Sequence, residues 1–148
     1  MKTGQRATEL MPASRAGALD RAVWLLRRGG LVAFPTDTVY GVGALAWDKD
    51  AVASIYVAKQ RPPDKAIPLL IASRHDLLID HDLIEVPLSA TTQRLAARFW
   101  PGPVTLVVPC SPRVRAIVTG GGRTVAVRVP DHPVAAQLLA ALGAPLAA

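Results

Sequence analysis

Three groups of side chains in this sequence have types and spacings that could handle a charged substrate. The first is Thr36, Asp37 and Thr38, two hydroxyls and a carboxylate placed directly after the apolar run Leu31 to Phe34 and the strand-stopping Pro35. Tyr40 adds an amphipathic ring, and Gly41 and Gly43 would let backbone approach a ligand closely. A polar turn between two strands is the plainer reading of the same residues. The second group is Lys59, Arg61 and Lys65, three cations within seven residues around Pro62 and Pro63. Two prolines forbid a helix and force an exposed loop, so these cations could neutralise a triphosphate, Arg61 in bidentate fashion. A solvated basic patch is the alternative. The third is Arg128, embedded in the alternating run Thr124 to Val129, where an arginine faces a ligand or a charge partner.

Other chemistries lack their signatures. Gly41-x-Gly43-x-x-Ala46 resembles a dinucleotide fingerprint, but it sits well past the strand and no helix follows directly, as that motif requires. Gly120 to Gly122 lacks the Lys and Ser or Thr that complete a phosphate loop, and no Gly-x-Ser-x-Gly elbow occurs. His75, His81 and His132 have no metal-ligand spacing and read as surface or capping residues. Cys110 is the only cysteine, which excludes an internal disulfide and reads as a buried small residue.

The elements that must hold these groups alternate between helix and strand. Residues 1–14 read as a loose arm, broken by Gly4 and Pro12. From Ser14 as N-cap, Leu19, Val23 and Leu26 recur at helical spacing until Gly29-Gly30, and the strand Leu31 to Phe34 follows. Ala44 to Ala46 is a second apolar run, and Asp48 or Asp50 caps a helix ending near Ala58. Ile67 to Ala72 reads as a strand whose Pro68 argues for an edge or a strand start, and the acidic stretch 76–85 covers a short helix and a loop. Thr91 or Thr92 caps a helix that Pro101-Gly102-Pro103 ends. Val104 to Val108 reads as a strand, Ser111 to Arg115 as a turn, Gly120 to Gly122 as a flexible loop and Thr124 to Val129 as a strand. Asp131 or His132 opens a last helix before Pro133, and Gly143 closes it. The pattern is α/β, without internal repeats.

Composition sets the frame. The 148 residues suit one domain, and 51% are hydrophobic, yet no apolar run approaches a membrane span. The start carries no secretory signal, so a cytoplasmic location is expected. The formal net charge of +6 fits an anionic partner such as nucleotide phosphate or RNA, or simply a solvated basic surface.

The order of these pieces is specific. Phe34-Pro35-Thr36-Asp37-Thr38-Val39-Tyr40-Gly41, Lys59-Gln60-Arg61-Pro62, Phe99-Trp100-Pro101-Gly102-Pro103-Val104-Thr105-Leu106 and Thr124-Val125-Ala126-Val127-Arg128-Val129-Pro130 together resemble the YrdC family. The resemblance runs from about Arg15 to the last residue. It implies an α/β domain over 15–148, a twisted mixed sheet with helices around a concave basic cleft. It also implies a threonylcarbamoyl-AMP synthase, which makes threonylcarbamoyl-adenylate and pyrophosphate from L-threonine, bicarbonate and ATP with Mg2+. The product would pass to the tRNA threonylcarbamoyltransferase machinery that forms N6-threonylcarbamoyladenosine. By the same resemblance Lys59, Arg61 and Lys65 would bind ATP, Thr38 would bind threonine, and Thr36, Tyr40, Thr124 and Arg128 would complete the cleft.

Two departures stand out. Family members carry Ser-x-Asn after a stretch like Gly143 to Ala148, where the given sequence ends, and many carry a histidine where this one has Leu69-Leu70-Ile71. Without that motif, weak ATP binding with poor turnover is expected. The segment Pro145-Leu146 is expected to be an apolar tail with no strand to pair with, leaving a sheet edge exposed. Two other readings share the fold: a noncatalytic module binding tRNA or double-stranded RNA, and a carbamoyltransferase subdomain of a larger protein.

Overall fold

The computed structural model describes residues 7–78, 83–84 and 87–148, the side chains of 115–117 excepted. Its framework is a sheet in the order β1-β2-β6-β3-β5-β4. The strands are β1 (Val32–Phe34), β2 (Gly41–Leu45), β3 (Leu69–Leu70), β4 (Leu106–Pro109), β5 (Thr124–Arg128) and β6 (Leu146–Ala147). β3 and β5 run parallel, while β1 with β2, β2 with β6, β6 with β3 and β4 with β5 are antiparallel. The sheet is therefore mixed, as expected. Six helices flank it: α1 (Ala18–Arg27), α2 (Lys49–Lys59), α3 (Arg74–Leu78), α4 (Ala90–Phe99), α5 (Pro112–Val118) and α6 (Pro133–Leu142).

Alternation along the strands divides the apolar residues between two cores. On one face, Val52 and Ile55 of α2, Ala96 of α4 and Val114 of α5 pack against Leu69, Val108, Val125 and Val127. On the other, Leu26 of α1 and Leu138, Leu139 and Leu142 of α6 cover Phe34, Leu70 and Leu146. Full burial of each such side chain contributes about 1.5–3 kcal/mol, so the two layers together fix the sheet.

Local chemistry sets most boundaries. The Asp48 carboxylate accepts from the Asp50 and Ala51 N–H groups at 3.0 Å and starts α2. His132 Nδ1 accepts from the Val134 N–H at 3.2 Å ahead of Pro133, and Gly143 at φ 65° closes α6. Cys110 is buried in the first core.

Several expectations need correction. α1 starts not at Ser14 but after Gly17, a left-handed residue with no side-chain cap, because Arg15 and Ala18 still belong to a turn made by the Arg15 N–H to Pro12 O and Ala18 N–H to Arg15 O bonds. α4 is capped by Ser89, whose hydroxyl accepts from the Thr92 N–H at 3.1 Å, rather than by Thr91 or Thr92. Ser111 to Arg115 is the start of α5 and not a turn; Ser111 caps it and Pro112 supplies the fixed φ of a first helical residue. Gly41 and Gly43 lie inside β2. β3 is only two residues long and is no edge strand, since β6 and β5 pair on its two sides, so Pro68 marks a strand start. The largest revision concerns Leu146-Ala147. They are not a tail but β6, in the interior of the sheet between β2 and β3. Asp80, His81, Asp82 and Glu85 of the acidic stretch lie outside the described residues.

Candidate functional site

β2 and β3 are each antiparallel to β6, and β5 is parallel to β3, so these three strands point the same way. Their starting ends consequently share one end of the sheet. Loop 35–40, segment 60–68 and turn 119–123 lead into them there, which brings the Thr36, Arg61 and Thr124 groups to one end of the molecule.

Arg128 closes β5 at the other end, but its side chain lies on the face it shares with Thr124 and Ala126. The guanidinium donates to Thr38 Oγ1 at 3.0 Å and forms an ion pair with Asp37. Loop 35–40 must therefore fold back along the sheet face to meet it. Asp37 Oδ1 also accepts from the Asp131 N–H at 3.2 Å, tying the loop to the turn after β5. The Arg128 and Asp37 side chains are only 11% and 17% exposed, so the pair is weakly screened by salt. Arg128 Nε is buried without a hydrogen-bond partner among the described residues. Next to it the face is open: Val107, directly across from Ala126, is 66% exposed.

The loop holds its own shape through Thr36. Its Oγ1 accepts from the Val39 N–H at 3.2 Å and the Thr38 N–H at 3.3 Å, and it lies 3.2 Å from Thr38 Oγ1. Thr36 is thus a backbone brace, and Thr38 is the hydroxyl presented. Tyr40 is 75% exposed, and its hydroxyl makes no hydrogen bond to the described residues. Gly41 and Gly43, expected to admit a ligand, instead make room for Phe34: a Cβ on Gly43 would lie 2.9 Å from the Phe34 ring.

In the cationic loop Arg61 is largely committed to its own backbone. Its Nε donates to Lys65 O at 3.3 Å and its terminal nitrogen to Ala66 O at 2.6 Å. The Tyr56 hydroxyl donates to the same Lys65 O at 2.9 Å, and burial pushes the phenol up from 10.0, with Asp64 adding to the rise and Arg61 opposing it. Desolvation lowers the Lys59 amine below 10.5, and the adjacent Arg61 charge lowers it further. Lys59 and Lys65 are the exposed cations of this group, Lys59 as the last residue of α2 rather than in the loop itself. Turn 119–123 packs closely on it: at Gly120, φ 61°, a Cβ would stand 2.7 Å from Asp64 O. Thr124, exposed at the start of β5, follows that turn.

Of the expected site residues, Thr38, Thr36 and Arg128 are joined by direct contacts, and Lys59, Arg61 and Lys65 form a second group. Asp37 is the residue whose part the sequence leaves unassigned; an acid shortly after one apolar strand and an arginine within another is its signal. Among the described residues no three of His, Cys, Asp or Glu converge as a metal site, and no helix is long and apolar enough to cross a membrane.

The same segments carry the comparisons with known proteins. A family model named for Sua5, YciO and YrdC, described as "Telomere recombination", matches residues 24–148. The chain belongs to the Sua5/YciO/YrdC family. Proteins named threonylcarbamoyl-AMP synthase are 46% identical to it in Pyrococcus abyssi, over 86% of this chain and 36% of that protein. In Bacillus subtilis one is 46% identical over 88% of this chain and 37% of that protein. The solved P. abyssi Sua5 complexed with L-threonine superposes with a TM-score of 0.83 at 42% identity, covering 94% of this chain and 39% of that one. The chain thus spans less than two fifths of the length of these relatives. Its fold is that of the Sua5/YciO/YrdC family, as the four segments imply.

Proposed function

We propose that this domain carries the threonylcarbamoyl-AMP synthase site, using L-threonine, bicarbonate and ATP. The observation that carries the reading is the 3.0 Å hydrogen bond from Arg128 to Thr38, which holds loop 35–40 folded back on the open sheet face. The relatives' names and the solved relative holding L-threonine support it.

In this reading Thr38 and Arg128 present a hydroxyl and a cation to threonine, with Thr36 holding the loop in shape. Lys59 and Lys65 meet the phosphates of ATP, and Arg61 keeps their loop rigid while adding its charge. Tyr40 and Thr124 lie at the rim. The threonine amine and bicarbonate give a carbamate with loss of water. A carbamate oxygen then attacks the α-phosphorus, the bond to the β-phosphate oxygen breaks, and pyrophosphate leaves. Two anions must be brought together, so fixed cations that meet the charge growing on pyrophosphate lower the barrier without a protein nucleophile. Aligning the reactants removes an entropic cost of at most about 7–11 kcal/mol. Mg2+ enters as the counter-ion of ATP, held by phosphate oxygens. The adenylate would pass to the machinery that modifies tRNA to N6-threonylcarbamoyladenosine.

Pyrophosphate release tests the reading. Release is expected only when L-threonine, bicarbonate, ATP and Mg2+ are all present. Release independent of threonine, or ATP and threonine that do not bind by calorimetry, would remove it. Retention of tRNA under those conditions would instead favour a noncatalytic RNA-binding module.

A further inference from the structure

The geometry points to Asp37 as a positioning residue that latches loop 35–40 to the sheet and so sets the Thr38 and Arg128 pair in place for threonine. The inference rests on the functional reading above only in naming threonine; the latch itself is read from the contacts. One carboxylate oxygen of Asp37 meets three requirements at once. It neutralises the Arg128 guanidinium, accepts the Asp131 N–H at 3.2 Å, and by fixing Arg128 keeps its other terminal nitrogen 3.0 Å from Thr38 Oγ1. The two bonds of Asp37 join residues 91 and 94 positions apart, so its side chain ties the β1–β2 loop both to the end of β5 and to the turn before α6.

Thr38 also reaches Arg128, but among the described contacts of loop 35–40 only Asp37 reaches both Arg128 and the Asp131 backbone. The Thr36 bonds are internal to the loop, and Val39 and Tyr40 are 71% and 75% exposed. A guanidinium held on two sides and buried at Nε has its direction fixed; freed from Asp37 it could swing into the open face beside Val107. Losing the carboxylate would therefore leave both functional groups present but no longer aimed together, an effect on threonine rather than on ATP.

The test compares Asp37→Asn, Asp37→Glu and Arg128→Gln in the full chain. Asp37→Asn should raise KM for threonine by about tenfold or more, as expected for loss of a charge-assisted hydrogen bond, with KM for ATP within about twofold. Asp37→Glu should recover part of that loss. Combining Asp37→Asn with Arg128→Gln should add less than the product of the single effects, because the two residues act through one pair. An unchanged threonine KM in Asp37→Asn, or parallel losses for threonine and ATP, would overturn the assignment. Amide hydrogen exchange without substrate separates the latch from the functional reading: Thr38, Val39 and Asp131 should exchange about tenfold faster in Asp37→Asn. Unchanged exchange would sink the latch even in an active enzyme, and faster exchange in a protein that never uses threonine would sink the reading of its function alone.

Discussion

At the level of single residues, the same side-chain types serve unequal ends. Thr36 and Thr38 are two positions apart, yet one hydroxyl is bound to the loop backbone and the other is turned to Arg128. Thr38→Val removes an acceptor from a charged donor, a loss of about 1.5–3 kcal/mol. The expected outcome is a higher KM for threonine with an unchanged ATP dissociation constant; equal threonine dependence of variant and parent would show that this hydroxyl is not read. Lys59 gives a pH signature. Its amine titrates below the ordinary 10.5 because desolvation and Arg61 both disfavour the charged form. Bound phosphate would favour that form, so ATP affinity should be full at neutral pH and fall as pH rises through the lowered Lys59 range, earlier than for an ordinary lysine. The sign for folding is opposite: the unfolded chain holds this proton to higher pH, so this group makes stability rise with pH between the two values. Lys59→Arg should flatten the high-pH fall in ATP affinity. Calorimetric titrations across that range decide it, and a fall that persists in Lys59→Arg would point to another group.

At the level of elements, the helices α2 and α6 were legible in the sequence, because Asp48 and the His132-Pro133 pair each state a boundary in side-chain chemistry, whereas α5 read as a turn. Among the strands β6 was not: its two residues are too few for any alternation to show, and its existence depends on partners far along the chain, whereas β3 fell inside the expected strand Ile67 to Ala72 and was only shorter. Gly41 and Gly43 misled for a related reason: glycine signals close approach but not of what, and the answer is the Phe34 ring across β1 and β2. The candidate site residues Thr38, Arg128 and the three cations stood out in the sequence by type, but Arg61's carbonyl partners and Asp37's contacts with Arg128 and Asp131 exist only in three dimensions. The Phe34 packing yields a direct test. In Gly43→Ala the new methyl would sit 2.9 Å from the buried ring, so either Phe34 or β2 must shift. Overpacking of this kind costs about 1–3 kcal/mol. Thermal unfolding should show a lower midpoint for Gly43→Ala, and no loss would mean that the strands separate more easily than their ladder suggests.

At the level of the whole molecule, the sheet is closed by a strand drawn from the far end of the described chain. β6 pairs Leu146 with Leu45 and with Leu70, so among the described residues the backbone ladder from β2 to β3 runs through it. The two halves carry different parts of the site: loop 35–40 belongs to the β1–β2 hairpin, and the cationic loop and Arg128 belong to the β3 and β5 side. β6 is therefore what sets one half of the site against the other, and Asp37 can find Arg128 only if that register is kept. Leu146 is fully buried in the core formed by α1 and α6. Leu146→Ala leaves a cavity in that layer and should cost about 2–5 kcal/mol, a large part of a domain's stability of about 5–15 kcal/mol. Removing residues 144–148 should do more, since it takes away both ladders as well as the side chain. The expected sequence in chemical denaturation is a lower midpoint for Leu146→Ala and loss of the cooperative transition for the deletion. A deletion variant that still unfolded cooperatively, with Asp131 protected from exchange, would show that helix packing alone holds the two halves in register.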